Sequence, residues 1–333
     1  MSQHYRSNGK FMLTGEYLVL KGAIALALPL KLGQSMDVDI LGSDDNCIYW
    51  EAYKPSAVSN QQSAISKDTS HDSRLTAQGI IPWFSVILNK SDFSVIETDD
   101  KEKAVRLSNI LSKVRLLNKN VFHDSHDYRF CTRLDFSPQW GLGSSSTLIN
   151  NISEWANIDP YLLLDSTFKG SGYDIACAKA DGPIFYSCQQ SAISNQPLCT
   201  TVSFNPEFKD NLYFVYQGHK QNSANEVKAF LNKNNDYRSE VEQISEISRI
   251  LPEIHDLSSF CYHIRIHEEI MACCLEQKRI KSFYPDFEGE IKSLGAWGGD
   301  FFMAATEWDE HKVRRYFEDK GLNVIIKYKD IVL

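Results

Sequence analysis

The residues best suited to chemistry lie in one run, Pro138-Gln-Trp-Gly141-Leu142-Gly143-Ser144-Ser145-Ser146-Thr147, between a strand-like and a helix-like stretch. Glycines let a backbone turn tightly and bring its N–H groups against a ligand. The helix start that follows adds free donors and a partial positive charge, a combination suited to a phosphate chain. Successive hydroxyls can bind phosphate oxygens or complete the shell of a magnesium ion. A Walker A loop would need a lysine that is absent here, and a G-x-G-x-x-G fingerprint would need glycine where Ser146 stands. A glycine-serine helix cap without a ligand has the same pattern, so the run alone leaves both readings open.

Three further segments carry candidate residues. In Gly170-Ser-Gly172-Tyr173-Asp174-Ile175-Ala176 an acid stands beside a glycine turn. There it can accept or orient the proton of an attacking hydroxyl. Free aspartate titrates at about 3.9, so this is a weak base at neutral pH. A helix cap accounts for Asp174 equally well on spacing alone. Gly295-Ala-Trp297-Gly298-Gly299-Asp300 permits close backbone approach to an anion, as a plain hairpin turn also would. Near the N-terminus Lys10 and Glu16 flank a strand and a tight turn, where Lys10 could offset phosphate charge. His267-Glu268-Glu269 begins like a zinc-protease helix, but Met271 stands where the second histidine is required. No G-x-S-x-G elbow is present.

These segments need elements to hold them. Phe11–Leu13 reads as a strand, and YLVL and AIALALPL flank Lys21-Gly22 as the arms of a hairpin. Ser35–Ile40 alternates as a half-buried strand, and Tyr49-Trp50 lie on another. From Lys54 to Gly79 the composition turns polar, marking an exposed insertion. IPWFSVIL is strand-like, Lys101–Leu117 has helical apolar spacing, and Tyr128–Phe136 is a strand. Leu148, Ile149, Ile152, Trp155 and Ala156 share a helical face, and Asp159-Pro160 caps a further helix. Beyond residue 191 the pattern restarts: a strand at NLYFVYQG, helices over 223–250 and 257–276, strand–loop–strand at KSLGAWGGDFFMAAT, a helix at HKVRRYFEDKGL and a strand at NVIIKY. With no doubly wound rhythm, the order predicts an α+β chain of two lobes, 1–190 and 191–333.

Composition narrows the classes. At 333 residues, 43% hydrophobic and 23% charged, the chain is that of a soluble globular protein with room for a substantial core. A net charge of −8 argues against nucleic acid or an anionic membrane as a partner and leaves a small molecule as the expected one. The eight cysteines show no zinc or disulfide spacing and read as reduced, buried thiols. With neither a signal-peptide pattern nor a span, the sequence predicts a cytoplasmic protein.

Taken in order, the segments resemble the GHMP kinase superfamily, in its mevalonate and phosphomevalonate kinase branch. GKFMLTGEYLVLKGAIALALP is similar to the first motif, with Lys10, Gly15, Glu16 and Gly22 in matching places. PQWGLGSSST matches P-x-x-G-L-G-S-S-[AS]-[AST], and GAWGGDFFMA is similar to the glycine-rich third motif. GSGYDIACA resembles a bacterial subgroup named for its Gly-Tyr-Asp-Ile-Ala segment, and Tyr17 after Glu16 resembles phosphomevalonate kinases. The resemblance implies a ribosomal protein S5 domain 2-like N-terminal lobe and a ferredoxin-like C-terminal lobe, with ATP between them. It implies that Pro138 and the Gly141, Leu142, Gly143, Ser144, Ser145 and Ser146 backbone bind the phosphates. Asp174 and Lys10 would be catalytic, Ser145 a magnesium (Mg2+) ligand, and Glu16, Tyr17, Gly298 and Gly299 substrate-side residues. The family's second magnesium ligand maps to Asp165, displaced by two positions. Trp297 replaces a small residue in the third motif. The implied function is phosphoryl transfer from ATP to mevalonate or 5-phosphomevalonate. The alternatives are mevalonate-diphosphate decarboxylase and a binding protein that keeps the cleft without catalysis.

Overall fold

The computed structural model describes residues 2–55, 81–168, 170–190, 197–218, 223–233, 235–295, 297 and 299–333. Most of the polar insertion, residues 56–80, lies outside them. In chain order the elements are β1 (Ser2–Thr14), β2 (Ala25–Leu41), β3 (Cys47–Tyr53), β4 (Phe84–Asn89), β5 (Val95–Thr98), α1 (Lys101–Leu117), β6 (Asp127–Leu134), α2 (Ser144–Trp155), α3 (Pro160–Thr167), α4 (Tyr173–Lys179), β7 (Ile184–Gln190), β8 (Pro197–Thr201), β9 (Leu212–Tyr216), α5 (Ser223–Leu231), α6 (Arg238–Ile250), α7 (Leu257–Leu275), β10 (Glu290–Ser293), β11 (Phe301–Ala305), α8 (Glu310–Glu318), β12 (Ile325–Lys327) and α9 (Tyr328–Ile331). The expected α+β class is the one observed. Among the described residues no helix is long and apolar enough to cross a membrane, and all eight cysteines are free thiols.

Chain contacts divide the fold into two units, each discontinuous in sequence. The first comprises 1–7, 32–138 and 144–170; the second comprises 8–31, 139–143 and 171–333. In the first, the sheet runs β5-β4-β3-β6 to the second half of β2, and β1 pairs with β2 off this path. The β3–β6 pair is parallel and the others are antiparallel. Its core is aromatic: Trp50 stacks on Phe130 at 4.7 Å, and Trp155 meets Phe130 edge-on at 4.9 Å. Helix α1 begins where Asp100 accepts from the Lys103 N–H, and it buries Ala104, Leu107, Ile110, Leu111 and Val114 along one stripe.

In the second unit the first half of β2 pairs with β7, and β7 with β8. A separate antiparallel sheet has the order β10-β11-β9-β12. One apolar cluster joins Tyr213, Val215, Ile291, Phe302, Val313 and Phe317. Phe11 of β1 stacks on Phe214 at 4.6 Å, on the face of this sheet opposite that cluster.

The hairpin expected at Lys21-Gly22 is replaced by a different turn. Gly15 at φ +91° and Tyr17 at φ 60° reverse the chain early, and Leu18–Lys21 winds as a 3-10 turn with Leu18 and Val19 both buried. Gly22, at φ 100°, closes it. The run YLVL is apolar because it is wrapped on all sides, a pattern that a buried strand shares. The two strands read at AIALALPL and SMDVDI form one continuous strand, β2.

Candidate active site

The glycine run earns its glycines by close approach. Gly141 and Gly143 sit at φ +68° and +95°, where a side chain is strained. A Cβ on Gly141 would stand 2.3 Å from an Asp300 carboxylate oxygen, and one on Gly143 would press the Lys10 stem at 3.3 Å. Lys10 is fastened to the same loop twice. Its backbone N–H donates to Leu142 O at 3.1 Å and its ammonium to Gly141 O at 3.2 Å. Pro138 opens the short 3-10 turn before the loop. Trp140 at the end of that turn packs edge-on against Phe301 at 5.8 Å.

Helix α2 opens at Ser144, directly after Gly143. Ser144 is half-buried, Ser145 exposed and Ser146 buried. A buried polar ladder within the first unit holds the helix. Thr147 donates to the Gln34 side chain at 2.8 Å, Asn151 to Gln34 O at 3.0 Å and Asn150 to Ser7 Oγ at 2.8 Å. The Ser7 hydroxyl in turn donates to Asn151 Oδ1 at 2.6 Å.

Asp174 occupies the first turn of α4, which Gly172 starts at φ 84°. The ring of Tyr173 lies 5.3 Å from the Lys10 ammonium, a cation–π contact. Burial drives the Tyr173 hydroxyl well above its ordinary value, helped by the negative charges of Asp174, Glu16 and Asp300. Burial likewise raises the neighbouring Cys177 thiol, with Asp174 adding to the shift and Lys10 opposing it. Lys10 thus lies over the Tyr173 ring, and the charges of Asp174, Glu16 and Asp300 act on its hydroxyl. Asp165 is exposed on α3.

Glu16 and Tyr17 are both buried. Glu16 is paired with Lys292 at 2.7 Å, and burial raises its carboxyl against the pull of that ammonium. Tyr17 accepts the Trp297 N–H at 3.2 Å, and burial pushes its hydroxyl up to about 12. Gly299 O accepts from the Gln217 side chain at 2.8 Å, and Gly298 lies outside the described residues. Sequence reading missed Lys292, Tyr173 as the platform for Lys10, and the reach of Asp300. Only Asp300 had a sequence signal, as the acid that ends a glycine turn.

Among the described residues, no three His, Cys, Asp or Glu side chains converge to hold a metal ion. That suits magnesium, which dehydrates reluctantly and usually takes one or two protein oxygens plus substrate phosphates. The exposed Ser145 hydroxyl at the start of α2 fits such a partial ligand.

No protein-family model and no curated protein sequence matches the chain. Solved structures do. Methanococcus jannaschii mevalonate kinase matches with a TM-score of 0.62 at 15% identity, over 96% of this chain and 95% of that one. A Streptococcus pneumoniae phosphomevalonate kinase in complex with phosphomevalonate and AMPPNP matches with a TM-score of 0.63 at 15% identity, over 98% of each chain. L. major mevalonate kinase in complex with R-mevalonate matches with a TM-score of 0.63 at 13% identity, over 98% of this chain and 96% of that one. The chain has the fold of these kinases along nearly its whole length.

Proposed function

We propose that the protein is an ATP-dependent kinase that moves a phosphoryl group onto an oxygen of mevalonate or 5-phosphomevalonate. One observation carries the reading: Lys10 is bound to the Gly141–Gly143 loop and lies over Tyr173, whose chain neighbour is Asp174. A cation, a backbone cradle for phosphate and a carboxylate base are the parts that phosphoryl transfer requires. The named ligands of the matching structures, R-mevalonate, phosphomevalonate and AMPPNP, support the choice of substrates.

In this reading the backbone N–H groups of Gly141–Ser146 hold the nucleotide phosphates, and the Lys10 ammonium stabilises charge that builds on the transferred group. Asp174 orients the acceptor hydroxyl and takes its proton as the new P–O bond forms and ADP departs. With a phosphorylated acceptor the attacking oxygen is already anionic, and Asp174 only positions it. When bound, magnesium would neutralise phosphate charge; Ser145 would hold it, with the exposed Asp165 of α3 as the second candidate ligand. The turn of Glu16 and Tyr17 and the Gly299 backbone shape the acceptor side.

The test is ADP release with magnesium and ATP over mevalonate, 5-phosphomevalonate, 5-diphosphomevalonate, homoserine and galactose. Turnover is expected on one of the first two, falling about 10²–10⁴-fold in Asp174→Asn. Carbon dioxide released from 5-diphosphomevalonate would instead identify a decarboxylase, and ATP binding without any stimulated ADP release would sink the enzyme reading.

A further inference from the structure

The helix start His267-Glu268, which makes no zinc site, belongs to a charged cluster that the transfer chemistry does not use. Lys292 on β10, Glu268 and His267 on α7 are fully buried, and Glu16 is nearly so. Alternation along β10 explains the placement: Ile291 enters the apolar cluster, while Glu290 and Lys292 turn to the charged side chains of α7. The Lys292 ammonium donates to Glu16 Oε1 at 2.7 Å and to Ser293 O at 2.8 Å, and stands 3.6 Å from Glu268 Oε1. His267 Nε2 accepts the Gly15 N–H at 3.2 Å. Glu16 Oε2 and His267 Nδ1 are buried without hydrogen-bond partners. A dry cluster of this kind costs desolvation that an apolar core would not, so stability is a poor account of it.

Its position supplies a better one. The cluster grips Gly15 and Glu16, and the next residue, Tyr17, is held at φ 60°, which a bulky side chain adopts only under outside constraint. The Tyr17 hydroxyl accepts the Trp297 N–H. Trp297 belongs to the turn that ends in Asp300, a second non-glycine residue at positive φ, 54°. Asp300 is the side chain pressed against Gly141. Tyr17 and Trp297 are therefore joined by this hydrogen bond, with the buried ammonium behind the first and Asp300, beside the loop glycine, after the second.

We infer that Lys292 is the positioning residue of this site. Through Glu16 it fixes the 15–17 turn, and through Tyr17 and Trp297 it fixes the Asp300 carboxylate against Gly141. The catalytic consequence rests on the kinase reading, whereas the mechanical coupling does not.

The experiment compares Tyr17→Phe with the double variant Lys292→Met/Glu16→Gln, which removes the ion pair without stranding either charge. Hydrogen exchange at the Trp297 amide is measured well below the melting temperature, with the steady-state constants for ATP and acceptor alongside. Both folded variants are expected to exchange Trp297 at least about tenfold faster, with global melting nearly unchanged in Tyr17→Phe. Both should lose about 10–100-fold in kcat. Unchanged Trp297 exchange in Tyr17→Phe, or faster exchange there with unaltered kcat, overturns the inference. A wild-type protein that turns over no acceptor removes the kinase reading alone, and the exchange comparison still decides the coupling.

Discussion

At the scale of single residues the two loop glycines face different neighbours, and their replacement should separate accordingly. Gly141→Ala would drive a methyl into the Asp300 carboxylate at 2.3 Å while holding a left-handed φ. A loss of about 1–3 kcal/mol in urea unfolding is expected, together with weakened ADP binding by calorimetry. Gly143→Ala meets only the flexible stem of Lys10 at 3.3 Å. It shares the backbone strain, at φ +95°, without the carboxylate clash, so it should lose less stability than Gly141→Ala, and it should lose kcat because Lys10 must move to admit the methyl. Equal destabilisation of the two variants would contradict this distinction. The loop and Lys10 were legible in the sequence, since glycine spacing and lysine placement are local signals. Lys292 was not: the ion pair joins residues 276 positions apart, and a lone lysine in a strand pattern reads as a surface residue.

Among the elements, α2 shows how a helix can be read correctly and still be misunderstood. Its apolar face was predicted, and Ile149 and Ile152 are fully buried there. Its other side is buried too, through Ser146, Thr147, Asn150, Asn151 and Ser153. Sequence periodicity counts such residues as solvent-facing, because whether a hydroxyl or amide finds a buried partner is decided only by tertiary pairing. Asn151→Ala would remove the acceptor of the Ser7 hydroxyl and a donor to Gln34 O, and is expected to cost about 1–3 kcal/mol in chemical denaturation. A value near zero would mean that water replaces the amide there. Helix α1, by contrast, was legible to both ends, because an aspartate cap and a clean apolar stripe are written in adjacent residues. The 3-10 turn at Leu18–Lys21 was read as a strand arm, since four apolar residues fit either state.

For the molecule as a whole the buried cluster predicts how stability depends on pH. Glu268 is raised to about 8, chiefly by burial and further by Glu16, against the pull of Lys292, the Ser293 N–H and Arg279. The folded protein therefore holds a proton there that the unfolded chain releases, and stability falls as pH rises from 4.5 to about 8. His267 is held well below its ordinary 6.5 by burial and by Lys292, so below 6.5 it makes stability rise with pH. The two slopes oppose one another up to about 6.5; above it Glu268 remains, with Glu16, whose carboxyl burial also raises, acting in the same direction. Unfolding free energy should thus change little on the acid side and decline between about 6.5 and 8, by up to about 1.4 kcal/mol per pH unit. Urea titrations of wild type and Glu268→Gln across this range test the point. The decline should shrink in the variant, and its persistence at full size would assign it to another group.

Strand β2 has a consequence for synthesis. Its residue Leu30 bridges to Val332, and the Leu333 N–H donates to Pro29 O. Those pairings cannot form until some three hundred further residues have been translated, so this stretch of β2 leaves the ribosome long before these partners exist. In the interim β1 is already available to pair with it, but the backbone that Val332 and Leu333 will cover faces water, chaperones and other nascent chains. An apolar strand such as ALALPL is then an aggregation hazard whose duration is set by the speed of elongation rather than by the strength of the finished fold.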